Sequence, residues 1–163
     1  MLISNKIRVR MADLKVGKES DVLITSGLGS CVGLTLYDSI SKIGGMAHIM
    51  LPEFPSNRKQ GKPEKYADTA IDILIEELRK AGANIRNLEA KMAGGAQMFN
   101  FSSSNDRIRI GARNIEAVES IMRKKRIPII GAEVGENYGR TMELYNNSGE
   151  VVIKTVKQDD RIL

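Results

Sequence analysis

The 163-residue chain contains one cysteine, Cys31, one histidine, His48, and no tryptophan. A single cysteine excludes an intramolecular disulfide, and one cysteine with one histidine excludes the paired sets that build a structural zinc site. No metal and no cofactor is expected. Aromatic residues make up only 4 % of the chain. Nowhere do they alternate with basic residues, so the stacking platforms that bind single-stranded nucleic acid are missing. No apolar run approaches the length that spans a bilayer, and the opening Met-Leu-Ile-Ser-Asn-Lys lacks the apolar core of a signal peptide. A soluble, cytoplasmic protein is expected, with no membrane insertion.

The net charge of +5 raises the question of a phosphate-binding surface. The densest basic cluster, Arg123-Lys124-Lys125-Arg126, closes a helical pattern, where cations complement the helix dipole and require no ligand. Nucleic-acid binding is not expected. Gly94-Gly95 is followed by neither a Lys-Ser/Thr pair nor a dinucleotide fingerprint, which removes a nucleotide site.

What the chain does have is concentrated between Thr25 and His48. Cys31 to Tyr37 and Ile43 to Leu51 are short and apolar-rich, and Asp38-Ser39-Ile40-Ser41-Lys42 between them has turn composition, so a β-hairpin is predicted. A two-residue loop, Ser39-Ile40, sets Cys31 directly opposite His48. A four-residue loop sets Gly33 opposite His48 and leaves Cys31 on the same face as a diagonal neighbour, roughly 7 Å away. Either register puts a thiol near an imidazole, the minimum equipment of a cysteine nucleophile, since a nearby His lowers the thiol pKa and shuttles its proton. In the preceding Ser26-Gly27-Leu28-Gly29-Ser30, glycines permit positive φ and let backbone N–H groups converge on an oxyanion. Thr25 ends the apolar run before this loop.

The remaining pattern is that of one domain. Lys6 to Met11 alternates as a half-buried strand, Asp13 to Ser20 reads as a polar connection, and Asp21 to Thr25 as a short strand. Residues 52–63 carry three of the four prolines and read as a long surface loop. Pro63 to Ala81 is a helix with Ala67, Ala70, Ile71, Leu74 and Leu78 on one face. Asn87 to Ala93 is a strand, Asn100 to Asn105 a loop, and Arg113 to Arg126 a second helix with the stripe Ile115, Val118, Ile121 and Met122. Ile127 to Val134 returns as a strand, and Thr141 to Tyr145 with Glu150 to Val156 forms a terminal hairpin. Residues 1–5 and 157–163 are expected to fray. The order of elements gives a single α+β domain, 1–163, with mixed β-sheets and two main helices packed on them.

Several blocks in order, Thr25-x-Gly27-Leu28-Gly29-Ser30-Cys31, Gly45-Met46-Ala47-His48-Ile49-Met50-Leu51-Pro52, Lys65-Tyr66-Ala67-Asp68-Thr69-Ala70, Ala93-Gly94-Gly95-Ala96-x-Met98-Phe99 and Ile110-Gly111-Ala112-Arg113-Asn114, resemble the chemoreceptor glutamine deamidases, the CheD family of bacterial chemotaxis. The resemblance implies a Cys-His-Thr triad at Cys31, His48 and Thr25, an oxyanion and substrate loop at Gly27, Gly29 and Ser30, and the fold of the cytotoxic necrotizing factor deamidase domain. It also implies hydrolysis of receptor glutamine side chains to glutamate through a thioester. The implied partners are the helical cytoplasmic domain of chemoreceptors, as substrate, and a CheC-type chemotaxis phosphatase. Two other activities fit the same family: receptor glutamyl methylesterase, and an adaptor that chiefly binds the phosphatase. Glu136-Asn137-Tyr138-Gly139-Arg140 matches the family's corresponding loop loosely, and Asn137 and Arg140 are candidate substrate contacts.

Overall fold

The computed structural model describes residues 4–57, 61–98 and 109–163. Two five-stranded mixed sheets pack face to face, and two helices cover the outer face of one of them. The first sheet has the order β1 (Asn5–Arg8), β3 (Asp21–Leu28), β8 (Arg140–Tyr145), β9 (Glu150–Lys154), β10 (Arg161–Ile162). The second has the order β2 (Leu14–Gly17), β5 (Ile43–Ile49), β4 (Val32–Asp38), β6 (Leu88–Gly94), β7 (Ile129–Val134). The pairs β1/β3 and β6/β7 are parallel and the others antiparallel.

The pleat sorts the residues of the central hairpin between two cores. Val32, Leu34 and Leu36 of β4 and Ile43, Ala47 and Ile49 of β5 face the helices, α1 (Ala67–Ala81) and α2 (Ile110–Lys125). The alternate residues, Met46 among them, face the other sheet and meet Leu23, Leu28, Met142 and Leu144. Because both faces of β4 and β5 are covered, both strands read as nearly continuous apolar runs. No side chain caps the N-terminus of α1. A missing cap costs about 1 kcal/mol, whereas each buried Leu or Ile contributes about 1.5–3 kcal/mol, so burial of Ile71, Leu74 and Leu78 is what holds this helix.

Several boundaries differ from the expectation, each for a local reason. Leu14–Gly17 is a strand, not a connection, since it finds an edge on β5. β3 runs on to Leu28 instead of ending at Thr25. Pro63–Lys65 is a separate 3-10 turn, because Tyr66 is extended and bridges to Leu51 before α1 begins. The C-terminal residues do not fray throughout: Arg161–Ile162 pairs with β9, and Leu163 N–H donates to Val151 O at 2.9 Å. In the proline-rich loop, Phe54 stacks edge-on against Tyr66, and its N–H donates to Asp68 Oδ1 at 2.9 Å. The expected loop Asn100 to Asn105 lies outside the described residues.

Candidate active site

The hairpin takes the four-residue loop. Asp38 pairs with Ile43 and Gly33 with His48. Asp38 selects this loop by local hydrogen bonding: its Oδ1 accepts from Ile40 N at 2.9 Å and Ser41 N at 3.3 Å, its carbonyl accepts from Lys42 N at 2.8 Å, and Oδ2 accepts from Asn84 N at 2.9 Å. Burial pushes the Asp38 carboxyl up, but these N–H groups outweigh it and the pKa falls below the usual carboxylate range. Asp38 thus fixes, from the far end of the hairpin, which residue stands across from the histidine.

Gly33 and His48 both point into the layer between the sheets, and Cys31, just before β4, joins the same inter-sheet core. Gly33 is required there. A Cβ at this position would lie 2.8 Å from Met142 Sδ and 3.0 Å from Leu28 Cδ1.

Thr25 arrives from the opposite sheet. It is buried, its hydroxyl donates to the Val9 carbonyl at 2.7 Å, and the same oxygen lies 2.7 Å from His48 Nδ1. A hydroxyl has one proton. With that proton on Val9 O, Nδ1 must be the donor to Thr25, so Nε2 carries the lone pair. Nε2 is buried and has no hydrogen-bond partner among the described residues. Immediately after Thr25, a β-bulge sets Ser26 and Gly27 against Thr141 alone, with Gly27 at φ 72°. The extra residue turns Leu28 inward and leaves Ser26 and Gly27 exposed.

The backbone around the thiol is pinned on both sides. Cys31 O accepts from Gly95 N at 2.8 Å, and Gly29 O accepts from Ala96 N at 2.8 Å. Gly94, at φ 107°, lies against the Cys31 carbonyl so closely that any Cβ would collide with it. Asn114 of α2, fully buried, donates from Nδ2 to both Ser30 O and Met50 O at 3.0 Å. Of the N–H groups expected to face an oxyanion, that of Gly29 is already given to Gly27 O at 3.0 Å. Those of Ser30 and Cys31 have no backbone acceptor among the described residues, and the Cys31 N–H lies against its own sulfur.

The electrostatics differ from a preformed ion pair. Burial pushes the Cys31 thiol above its ordinary value, against the pull of its own backbone N–H. Burial also lowers His48 to about 4. No hydrogen bond joins Cys31 to His48. The expected depression of the thiol pKa is therefore not found. In a low-dielectric layer both groups rest neutral, because separated charges there lose hydration without a direct contact to replace it.

Arg140 and Asn137 occupy different environments. Arg140 is 2 % exposed: Nε pairs with Glu133, Nη1 donates to Gly135 O at 2.9 Å and Gly94 O at 3.3 Å, and the guanidinium sits 4.5 Å from the Tyr138 ring centroid. It braces the wall behind Gly94. Asn137 is exposed and lines a groove of about 550 Å³ with Gly27, Tyr138, Lys154 and Lys157. Two contributors escaped the sequence reading. The Val9 carbonyl carries no sequence signal, since every residue has one. Asn114 did leave a signal, a polar residue in step with Gly111, Val118 and Met122 on the buried stripe of α2. Among the described residues, no cluster of three or more His, Cys, Asp or Glu could hold a metal.

Among the described residues, a thiol, an imidazole with one free ring nitrogen, a hydroxyl that sets its tautomer and two N–H groups without a backbone acceptor are the groups that thiol-based acyl transfer requires. A scaffold of two packed sheets in an α+β fold presents these groups together. Residues 50–155 match the family profile described as CheD chemotactic sensory transduction. The chain is 48 % identical over 160 residues to the chemoreceptor glutamine deamidase CheD of Halalkalibacterium halodurans, covering 98 % of this chain and 99 % of that one. It is 48 % identical over 153 residues to the probable chemoreceptor glutamine deamidase CheD of Caldanaerobacter subterraneus subsp. tengcongensis, covering 94 % of each. It is also 50 % identical over 149 residues to the protein of the same name from Clostridium tetani, covering 91 % and 90 %. The chain belongs to the CheD family. Among solved structures, the Bacillus licheniformis hypothetical protein YfiH overlaps 69 % of this chain and 46 % of its own at TM-score 0.40 and 16 % identity, too remote to bear on function.

Proposed function

We propose that the protein deamidates glutamine side chains of chemoreceptors, with Cys31 as nucleophile, His48 as general base and acid, and Thr25 as the group that orients His48. The observation that carries this reading is the hydrogen-bonded line Val9 O, Thr25 Oγ1, His48 Nδ1, which leaves Nε2 unprotonated in the layer that also holds Cys31. The names of relatives aligned over nearly the whole chain supply the substrate class.

Because thiol and imidazole rest neutral, the thiol proton passes to His48 Nε2 as the sulfur attacks the side-chain carbonyl carbon. The oxyanion forms against the Cys31 and Ser30 N–H groups. His48 returns the proton to the nitrogen as the C–N bond breaks, and ammonia leaves a thioester on Cys31. His48 then takes a proton from water, hydroxide adds to the thioester, and the proton goes back to sulfur. One water is consumed and one ammonia released; glutamine becomes glutamate. The Gly27 to Ser30 loop forms the substrate side of the site, and the exposed Asn137 is the better placed of the two candidate contacts. A glutamyl methyl ester would pass through the same thioester with methanol as the leaving group.

The working location is the cytoplasm, where the receptor's helical domain lies, and a CheC-type phosphatase is the regulatory partner. Among the described residues no helix is long and apolar enough to cross a membrane. The test is mass analysis and ammonia release on a receptor cytoplasmic fragment. Wild type should convert specific glutamines, while Cys31→Ala and His48→Ala, still folded, should release none. Conversion at the wild-type rate by Cys31→Ala would overturn the assignment.

A further inference from the structure

Asn114 is the one fully buried polar side chain of α2, in a stripe otherwise made of Gly111, Val118 and Met122. Its amide orientation is fixed by its surroundings: Nδ2 faces two carbonyl oxygens, Ser30 O and Met50 O, each at 3.0 Å, and the flipped amide would set oxygen against oxygen. Its Oδ1 is buried without a donor among the described residues. A residue kept for packing alone would be apolar and leave no such atom, because a buried acceptor without a partner is unfavourable.

The two carbonyls are informative. Ser30 precedes the nucleophile, and Met50 lies two residues beyond His48. The last ladder pair of the hairpin is Val32 with Ile49, so past this pair the two chains are joined by the Asn114 amide. The Ser30 carbonyl also shares a peptide plane with the Cys31 N–H. Every peptide bond among the described residues is trans, and in a trans peptide C=O and N–H point in opposite directions. Drawing Ser30 O toward α2 therefore turns the Cys31 N–H away from the helix.

We propose that Asn114 is a positioning residue of the active site: by holding Ser30 O and Met50 O on one amide group, it aims the Cys31 N–H as an oxyanion donor and sets the spacing between the nucleophile's strand end and the base's. The inference rests on the deamidase reading for its turnover assay, but not for its thiol assay.

Two variants test it. Asn114→Leu keeps the volume and removes both donors; Asn114→Asp keeps the shape and sets carboxylate oxygens against the carbonyls. In either, kcat on the receptor fragment, counted per alkylatable thiol, should fall by about 10² or more with KM unchanged, the scale and pattern of a lost oxyanion donor. The pH inflection of Cys31 alkylation by iodoacetamide should move upward. A purely structural role would lower stability and leave kcat per thiol and the inflection where they are, and that result in a folded variant would overturn the proposal. If wild type proves inactive on receptor glutamines, the functional reading fails while the inflection comparison still decides the role of Asn114. Should neither variant fold, hydrogen exchange of the wild-type Asn114 Nδ2 protons decides: strong protection is expected, and exchange at the rate of an exposed amide would sink the clamp.

Discussion

Thr25 Oγ1 and His48 Nδ1 lie 2.7 Å apart, although the two residues belong to different sheets. Since the hydroxyl proton is committed to Val9 O, this contact selects the tautomer of the only imidazole in the chain. Thr25→Val keeps the shape and removes the selection. Its kcat should fall by about 10², at the lower end for a general-base contribution, while Thr25→Ser keeps most of the rate. Nitrogen NMR of His48 gives the direct check: the Nδ1-protonated form should dominate in wild type and lose ground to the other tautomer in Thr25→Val.

Iodoacetamide alkylation of Cys31, followed against pH, should show its inflection above the free-thiol value of about 8.5, because burial disfavours the thiolate. An inflection well below that value would show a preformed thiolate-imidazolium pair and overturn the neutral resting state described above.

The same burial makes stability depend on pH in a defined window. His48 titrates at about 4 in the folded protein and at about 6.5 when unfolded. Between these values the unfolded chain binds more protons, so stability is fully present above about pH 6.5, falls as the pH drops toward 4, and changes no further below. The total for this one group is about 3 kcal/mol. Urea unfolding across the window should show the decline in wild type and a shallower one in His48→Gln.

Gly94→Ala should both destabilise and inactivate. The position has φ 107°, and its Cβ would strike the Cys31 carbonyl. The conformational strain alone should remove more than about 1 kcal/mol, and relief of the collision must displace the nucleophile's backbone. Denaturant midpoint and alkylation rate measured on the same preparation would show the two effects together; unaltered alkylation would mean that the chain relaxes elsewhere.

The parts of the fold that announced themselves in the sequence are those whose burial follows a single period. The face of α1 from Ala67 to Leu78 and the alternation of β6 are of this kind. The hairpin was legible too, with its register left between two loops, because the deciding atoms are Asp38 carboxylate oxygens reaching Ile40, Ser41 and Asn84. Leu14–Gly17 offers too few alternating residues to stand out, and its pairing with β5 is tertiary. Within the site, Cys31 and His48 were visible by rarity. The Val9 acceptor and the Asn114 amide act through backbone carbonyls, which no residue-type pattern records. The neutral resting state was equally hidden, since it follows from depth in the inter-sheet layer and not from the adjacency of residue types.

Cys31 and His48 descend from one sheet and Thr25 with its Val9 acceptor from the other, so no piece of either sheet alone contains all of the candidate groups. On the proposed chemistry, turnover is accordingly a gauge of how the two sheets are seated. On that reading, Thr25 and His48 register any slip between the sheets as a change in rate, although neither is the nucleophile.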